Sequence, residues 1–536
     1  IIEPTLQVLS RLCRTQFKKE LYEAGGISIL LAMLNRIRDI NDETLNNSIT
    51  ISLNCFSEFI LRDDTISGYC ENFVASDGVG TLISLLGISD SSGSLQITSL
   101  LYKLVSFPSL SAKVIQELLG GLRLLLDLLQ SDRAELLDFC LALLLSMCSN
   151  ENIHLLVRET GGISRIVSVV SSSDATHQQK ALLILGRMTQ DDEENALAVL
   201  AANGILPIVN LLPSTNLLVQ SAALQTLLIL TNFEKIFSAI LAVNGIPALL
   251  SILHSPREAV QESALQALAN LASNAMCLES LVSCGNIQFL FPMLSSRFNP
   301  IRLQALRILS YISKDIKIKS SLRLGSCIAP LTALLSEEDK EVQELAAVSL
   351  VNIARHSPEC RETLITSGAI PGIVQLLFSS NIEIVGLSAE VLTQLVTEQR
   401  GRQILANIGI LSVLFSMLDN SQVISNANIV QHVVCILSAV VSEGDQLNFI
   451  LQEGGIPRLL LLLQSGPDSV KLGAMTVLAS IAKTTESCNV LITNGALPII
   501  FNILQGDYDI LLVQQASITL NNLSFSSKVI TLINTT

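Results

Sequence analysis

Eleven cysteines and five histidines are the residues of this 536-residue chain with the chemistry for metal binding, nucleophilic attack or redox exchange. Their spacing supports none of the three. His154, His177, His254, His356 and His432 are spread along the chain, and the cysteines include no Cys-x-x-Cys pair. Cys140 and Cys148, like Cys277 and Cys284, stand at steps that share a helical face, yet no histidine or further cysteine is placed to complete a tetrahedral set. His-Glu-x-x-His, Gly-x-Ser-x-Gly and the phosphate-cradling Gly-x4-Gly-Lys-(Ser/Thr) are all missing. The expectation is a chain that is not an enzyme, with no catalytic residue, no metal site and no cofactor. An odd number of irregularly spaced cysteines fits reduced, buried thiols, which points to the cytosol, with the nucleus as the alternative.

Charge narrows the partner class. The net charge is −14 and the isoelectric point is near 4.9, so the basic stripe that phosphate binding requires is lacking and nucleic acid is not expected as a partner. No apolar stretch reaches the roughly 18 to 20 residues that cross a bilayer, so no direct membrane insertion is expected. Two acidic runs, Asp191-Asp192-Glu193-Glu194 and Glu337-Glu338-Asp339, fall where a loop enters a helix. There they are expected to cap the helix and to face its positive end.

The elements that carry these residues recur. A small residue followed by an aliphatic one and an apolar run appears at Gly26, Gly78, Gly121, Gly162, Gly204, Gly245, Asn286, Cys327, Ala369, Gly409, Gly455 and Ala496, and nine of the eleven intervals are 40 to 43 residues. Such a period marks a solenoid. Within one unit, Ser255-Pro256-Arg257-Glu258 reads as a helix start, with the serine as cap. Val260, Ala264, Leu265, Leu268, Leu271 and Ala272 follow as one apolar stripe, leaving Gln266 and Asn270 off it. Ala275 to Val282 and Ile287 to Leu294 read as two further helices. The anchor glycine is expected to turn the chain between the first and second helices of each unit by adopting positive φ. The two long intervals place irregular loops near 35–47 and 419–431. Thr5 to Arg14 reads as a third helix without its first two and Ser527 to Ile533 as a first helix without a successor, so the chain is expected to begin and end inside a repeat of a longer protein.

The order short helix, Gly-(Ala/Gly)-Ile-Pro, second helix, long third helix resembles the armadillo repeat family. Glu258 to Ser273 and Glu341 to Ala354 carry its third-helix pattern, while the copies at Gly78, Gly121 and Cys327 are weaker. HEAT repeats, the nearest alternative, lack the short first helix and that turn. The resemblance implies an all-α fold: a right-handed α-solenoid, a superhelix of about twelve armadillo repeats with three helices each, continuous over 1–536. It also implies that third helices line a concave groove, with the residue before their last leucine facing into it. That position holds Arg11, an ambiguous entry near Asn54, Lys103, Ser146, Arg187, Ile229, Asn270, Tyr311, Asn352, Gln394, Ala439, Ser480 and Asn522; one turn earlier stand Gln225, Gln266, Arg307 and Glu390. An asparagine both donates and accepts, so it can hold the backbone of an extended peptide whatever its sequence.

The implied function is a non-enzymatic scaffold or adaptor that binds a protein or peptide ligand along this groove. Its partner-binding residues would be Arg187, Gln225, Gln266, Asn270, Arg307, Tyr311, Asn352, Gln394 and Asn522. The first half of the ladder would prefer acidic peptides, and Gln225 to Gln394 would grip backbone and apolar side chains. Family members that read nuclear-localisation signals pair each groove asparagine with a tryptophan, and this chain has no Trp. Two other readings stand beside the scaffold: an armadillo-type exchange factor or chaperone for a small GTPase or other folded client, and a spacer within a multidomain protein.

Overall fold

A computed structural model describes residues 2–14, 17–40, 46–60, 67–284, 287–314, 324–356, 358–441, 450 and 455–524. Every element among them is helical. They form two compact units, Ile1–Ser280 and Leu281–Thr536. In the first, long helices α1 (Ile2–Cys13), α2 (Asn46–Ile60), α3 (Ser91–Val105), α4 (Ala134–Met147), α5 (Ala175–Thr189), α6 (Leu217–Leu230) and α7 (Glu258–Ala272) pack each along the next. In the second, α8 (Asn299–Lys314), α9 (Lys340–His356), α10 (Ile382–Leu395), α11 (Ala427–Val441), α12 (Asp468–Ile481) and α13 (Ile510–Ser524) do the same. Shorter helices precede each long one after α1, as Glu151–Glu159 and Gly162–Val170 precede α5. Each unit is thus an α-solenoid of three-helix repeats.

The apolar stripe makes the stack. In α7, Ala264, Leu265, Ala267, Leu268, Leu271 and Ala272 are buried, and the alanines let neighbouring helices approach closely while the leucines fill the space between. The start of this helix departs from expectation. It begins at Glu258 without a side-chain cap, and Ser255 instead accepts from the Arg257 backbone N–H at 3.3 Å. The loop is closed from within the helix: Gln261 Nε2 donates to the carbonyls of Ser255 at 2.8 Å and Leu253 at 3.2 Å. Gln220 does likewise to Leu212 and Gln178 to Ser172. The glutamine of the third-helix pattern therefore satisfies orphan carbonyls of the loop before it.

The anchor glycines also work differently from the sequence expectation. At most repeats the left-handed residue stands one position earlier: Asn244, with φ +56°, precedes Gly245, and Gly161, with φ +69°, precedes Gly162. The anchor is small because space is short. A Cβ at Gly245 would lie 2.4 Å from Ile240 Cγ2, and one at Gly162 would lie 2.7 Å from Val157 Cγ1, in each case the side chain five residues back. Close approach of two helices, more than the turn itself, selects glycine there. The anchor at Asn286 lies outside the described residues.

Both expected loops are largely helical. The helix Gly26–Ile40 runs on through residues 35–40 because Leu34 and Ile37 keep its buried stripe in step; 41–45 lie outside the described residues. Near 419–431 the extra residues form a short helix, Ser421–Ile424, whose first turn is capped by Asn420 accepting from the Gln422 N–H at 3.0 Å, and α11 has begun by Ala427. At the start of the chain α1 packs on α2 as a third helix would; Ser527 to Ile533 lie outside the described residues. No single helix among the described residues is long and apolar enough to cross a membrane.

Candidate functional site

In the first unit, Arg187 on α5 and Gln225 on α6 are exposed, and Gln266 and Asn270 on α7 are half-buried. Two of them reach back to the preceding long helix. Arg187 Nη1 donates to the Leu145 carbonyl in the last turn of α4 at 3.0 Å. Asn270 Nδ2 donates to Thr231 Oγ1 at 3.1 Å and to Asn232 Oδ1 at 3.0 Å, just beyond α6. The carbonyls ending a helix have no partner within it, so a polar side chain from the next repeat is placed to supply one. Both bonds use the Asn270 amide nitrogen, which leaves its oxygen as an acceptor.

The second unit repeats the device and adds charge. Asn352 Nδ2 donates to Ser313 Oγ of α8 at 3.3 Å, and Asn522 Nδ2 donates to the Ala479 carbonyl of α12 at 3.3 Å. Tyr311 and Gln394 are half-buried, and the Lys314 ammonium lies 5.8 Å from the Tyr311 ring centroid. Arg307 is spent on a carboxylate: its Nη2 donates to Glu341 Oε1 of α9 at 2.5 Å. The expected grip on backbone and apolar groups in this part of the ladder therefore sits beside ion pairs that spacing alone did not show.

Glu390, one turn before Gln394, lines a concavity of about 590 Å³ across α9, α10 and α11. Val348, Leu387 and Ile429 give it apolar lining, and Glu344, Glu383 and Glu390 line it with carboxyl groups. Glu390 is paired with Arg355, whereas Glu344 is pushed above the usual carboxylate range by burial first and by Glu383 and Glu341 next. His432, also in the lining, meets Thr393 Oγ1 through Nδ1 at 3.2 Å, and burial holds its pKa below the ordinary histidine value. The signal for these residues was present. Glu344 stands eight before Asn352 and Glu383 eleven before Gln394, the same helical face two and three turns earlier.

Most of the cysteines are buried, as expected, whereas Cys284 and Cys435 are exposed. Among the described residues no group of three or more His, Cys, Asp or Glu side chains is arranged to hold a metal ion. Burial raises the thiols of Cys140, Cys148 and Cys327 to about 12, which keeps them protonated and unreactive. The acidic runs cap helices, as expected. Asp192 accepts from the Asn195 N–H at 2.9 Å and faces Arg158, and Asp339 accepts from the Glu341 N–H at 2.9 Å. Asp339 also accepts from Asn299 at 2.7 Å, and that bond leads in holding its pKa low.

Residues 120–329 match the Armadillo-like family. Over 188 residues, 34% of the chain, the sequence is 26% identical to importin subunit alpha-8 of Arabidopsis thaliana, and the match spans 41% of that relative's length. The crystal structure of an engineered protein superposes with a TM-score of 0.53 at 24% identity, covering 84% of this chain and 99% of its own. A chain solved in work on the phosphorylation switch that controls the interaction between cadherin and beta-catenin superposes with a TM-score of 0.67 at 14% identity, covering 87% of this chain and 99% of its own. At these identities both structures speak to the fold.

Proposed function

Because this chain is an armadillo repeat protein, we propose that it is a non-catalytic adaptor whose ladder face holds an extended partner polypeptide. The observation that carries this reading is the repetition of Arg187, Asn270, Asn352 and Asn522 at equivalent helix ends, each bonded to the preceding long helix or to the residues just after it. A polypeptide crossing those ends in either unit would meet, at these repeats, a polar group fixed in place by a neighbour before the partner arrives. Pre-positioning of this kind reduces the ordering cost of binding. Side chains that both donate and accept suit a peptide backbone, so specificity would rest on pockets between the rungs.

The test removes one ladder at a time. Partners would be captured by proximity labelling in the native cell with the wild type, with Arg187→Ala/Gln225→Ala/Asn270→Ala, and with Tyr311→Ala/Asn352→Ala/Gln394→Ala. Each triple variant should lose a set of partners while circular dichroism shows intact helix. A partner list unchanged by both variants would overturn the reading.

A further inference from the structure

The concavity across α9, α10 and α11 has an electrostatic feature that the ladder lacks. Carboxylates nearby are matched with arginines, Glu341 with Arg307 and Glu390 with Arg355. Glu344 and Glu383, from adjacent helices, line the same concavity, and among the described residues neither forms an ion pair. Two like charges held together beside apolar surface repel each other, and a cation between them relieves that repulsion. The lining adds a shape to this demand: Val348, Leu387 and Ile429 offer apolar contact alongside the carboxyl groups.

We propose that this pocket takes an arginine or lysine side chain of the bound polypeptide, with Glu344 and Glu383 on its charged head and Val348, Leu387 and Ile429 along its aliphatic stem. An amphipathic cation is the occupant that satisfies both parts of the lining. Long basic side chains bury their stems on apolar surface while keeping the head among polar partners. The bulk charge of −14 favours approach of such a segment. The inference rests on the ladder-face reading and deepens it by naming what one inter-rung pocket selects.

A random peptide library displayed on phage, panned on the full chain and on Glu344→Gln/Glu383→Gln, tests it. The wild type should enrich peptides with arginine or lysine at one shared position. The double variant should lose that preference. A synthetic copy of one enriched peptide should lose about tenfold or more in affinity when its basic residue becomes citrulline or norleucine, and lose little further on the double variant. The single variant Glu344→Gln, with its melting curve recorded alongside, should show an intermediate loss. Enrichment without a basic position, or a basic preference that survives in the double variant, would overturn the pocket and leave the ladder reading standing. A selection that enriches no peptide would overturn both.

Discussion

Between α4 and α7 several polar groups of the long helices are consumed at helix ends, and between α8 and α11 arginines pair with carboxylates of the next repeat while Glu344 and Glu383 form no ion pair among the described residues. In the first region Lys180 pairs with Asp138 at 2.6 Å, Arg187 caps α4, and Asn270 uses its amide nitrogen for two bonds at the end of α6. In the second, Arg307 and Arg355 each neutralise a carboxylate one repeat onward, and Glu344 and Glu383 line one concavity with no ion pair among the described residues. Each region packs on an apolar seam of its own, and the difference lies among the polar side chains that its long helices carry. A solenoid can vary that side freely because each repeat's stability comes from its contacts with its neighbours.

The sharpest way to break this comparison is to ask whether seam and ladder are energetically distinct. Leu227→Ala in α6 and Leu392→Ala in α10, both fully buried, should each destabilise by about 2–5 kcal/mol in urea unfolding. Comparable losses from ladder substitutions would show that the ladder is itself part of the core. Next in size is the difference between rungs. Asn270→Ala removes two side-chain bonds and should cost about 1 kcal/mol, with Asn352→Ala, whose bond to Ser313 is 3.3 Å long, costing less. Equal costs would mean that bonding to the preceding helix does not set rung strength.

The smallest effect separates the charged region from the rest. Glu344 binds its proton more tightly when folded than the unfolded chain does, so its contribution opposes folding increasingly as pH rises above the ordinary value of 4.5. Glu344→Gln should therefore leave the melting temperature unchanged near about pH 4 and raise it slightly near about pH 7. A variant that melts lower at neutral pH would show that a stabilising partner had been removed.

Much of the architecture was legible because burial writes a period into the sequence. Val260, Ala264, Leu265, Leu268, Leu271 and Ala272 identified α7 and its buried face without coordinates. The exact start of that helix was not legible. Ser255 has the chemistry of a cap, but Gln261 closes the loop from six residues further on, and nothing local distinguishes the two arrangements. The anchor glycines were found by their spacing and explained by the wrong constraint, since the collision they avoid is with a side chain of the preceding helix.

The same division holds for the candidate site. One residue per repeat could be chosen by register, which located Asn270, Asn352 and Asn522. Register did not reveal that each reaches back to the helix before it, because that contact depends on how far successive repeats are translated and rotated. It also passed over Glu344 and Glu383, whose significance arises only when α9 and α10 bring them into one concavity with no ion pair for either among the described residues. By itself the sequence determined the repeat, the helices and the face each one buries, since these follow from spacing along a single chain. The tertiary structure alone decided which charges meet and which remain unmatched, because Coulomb energy depends on distances between residues roughly forty positions apart.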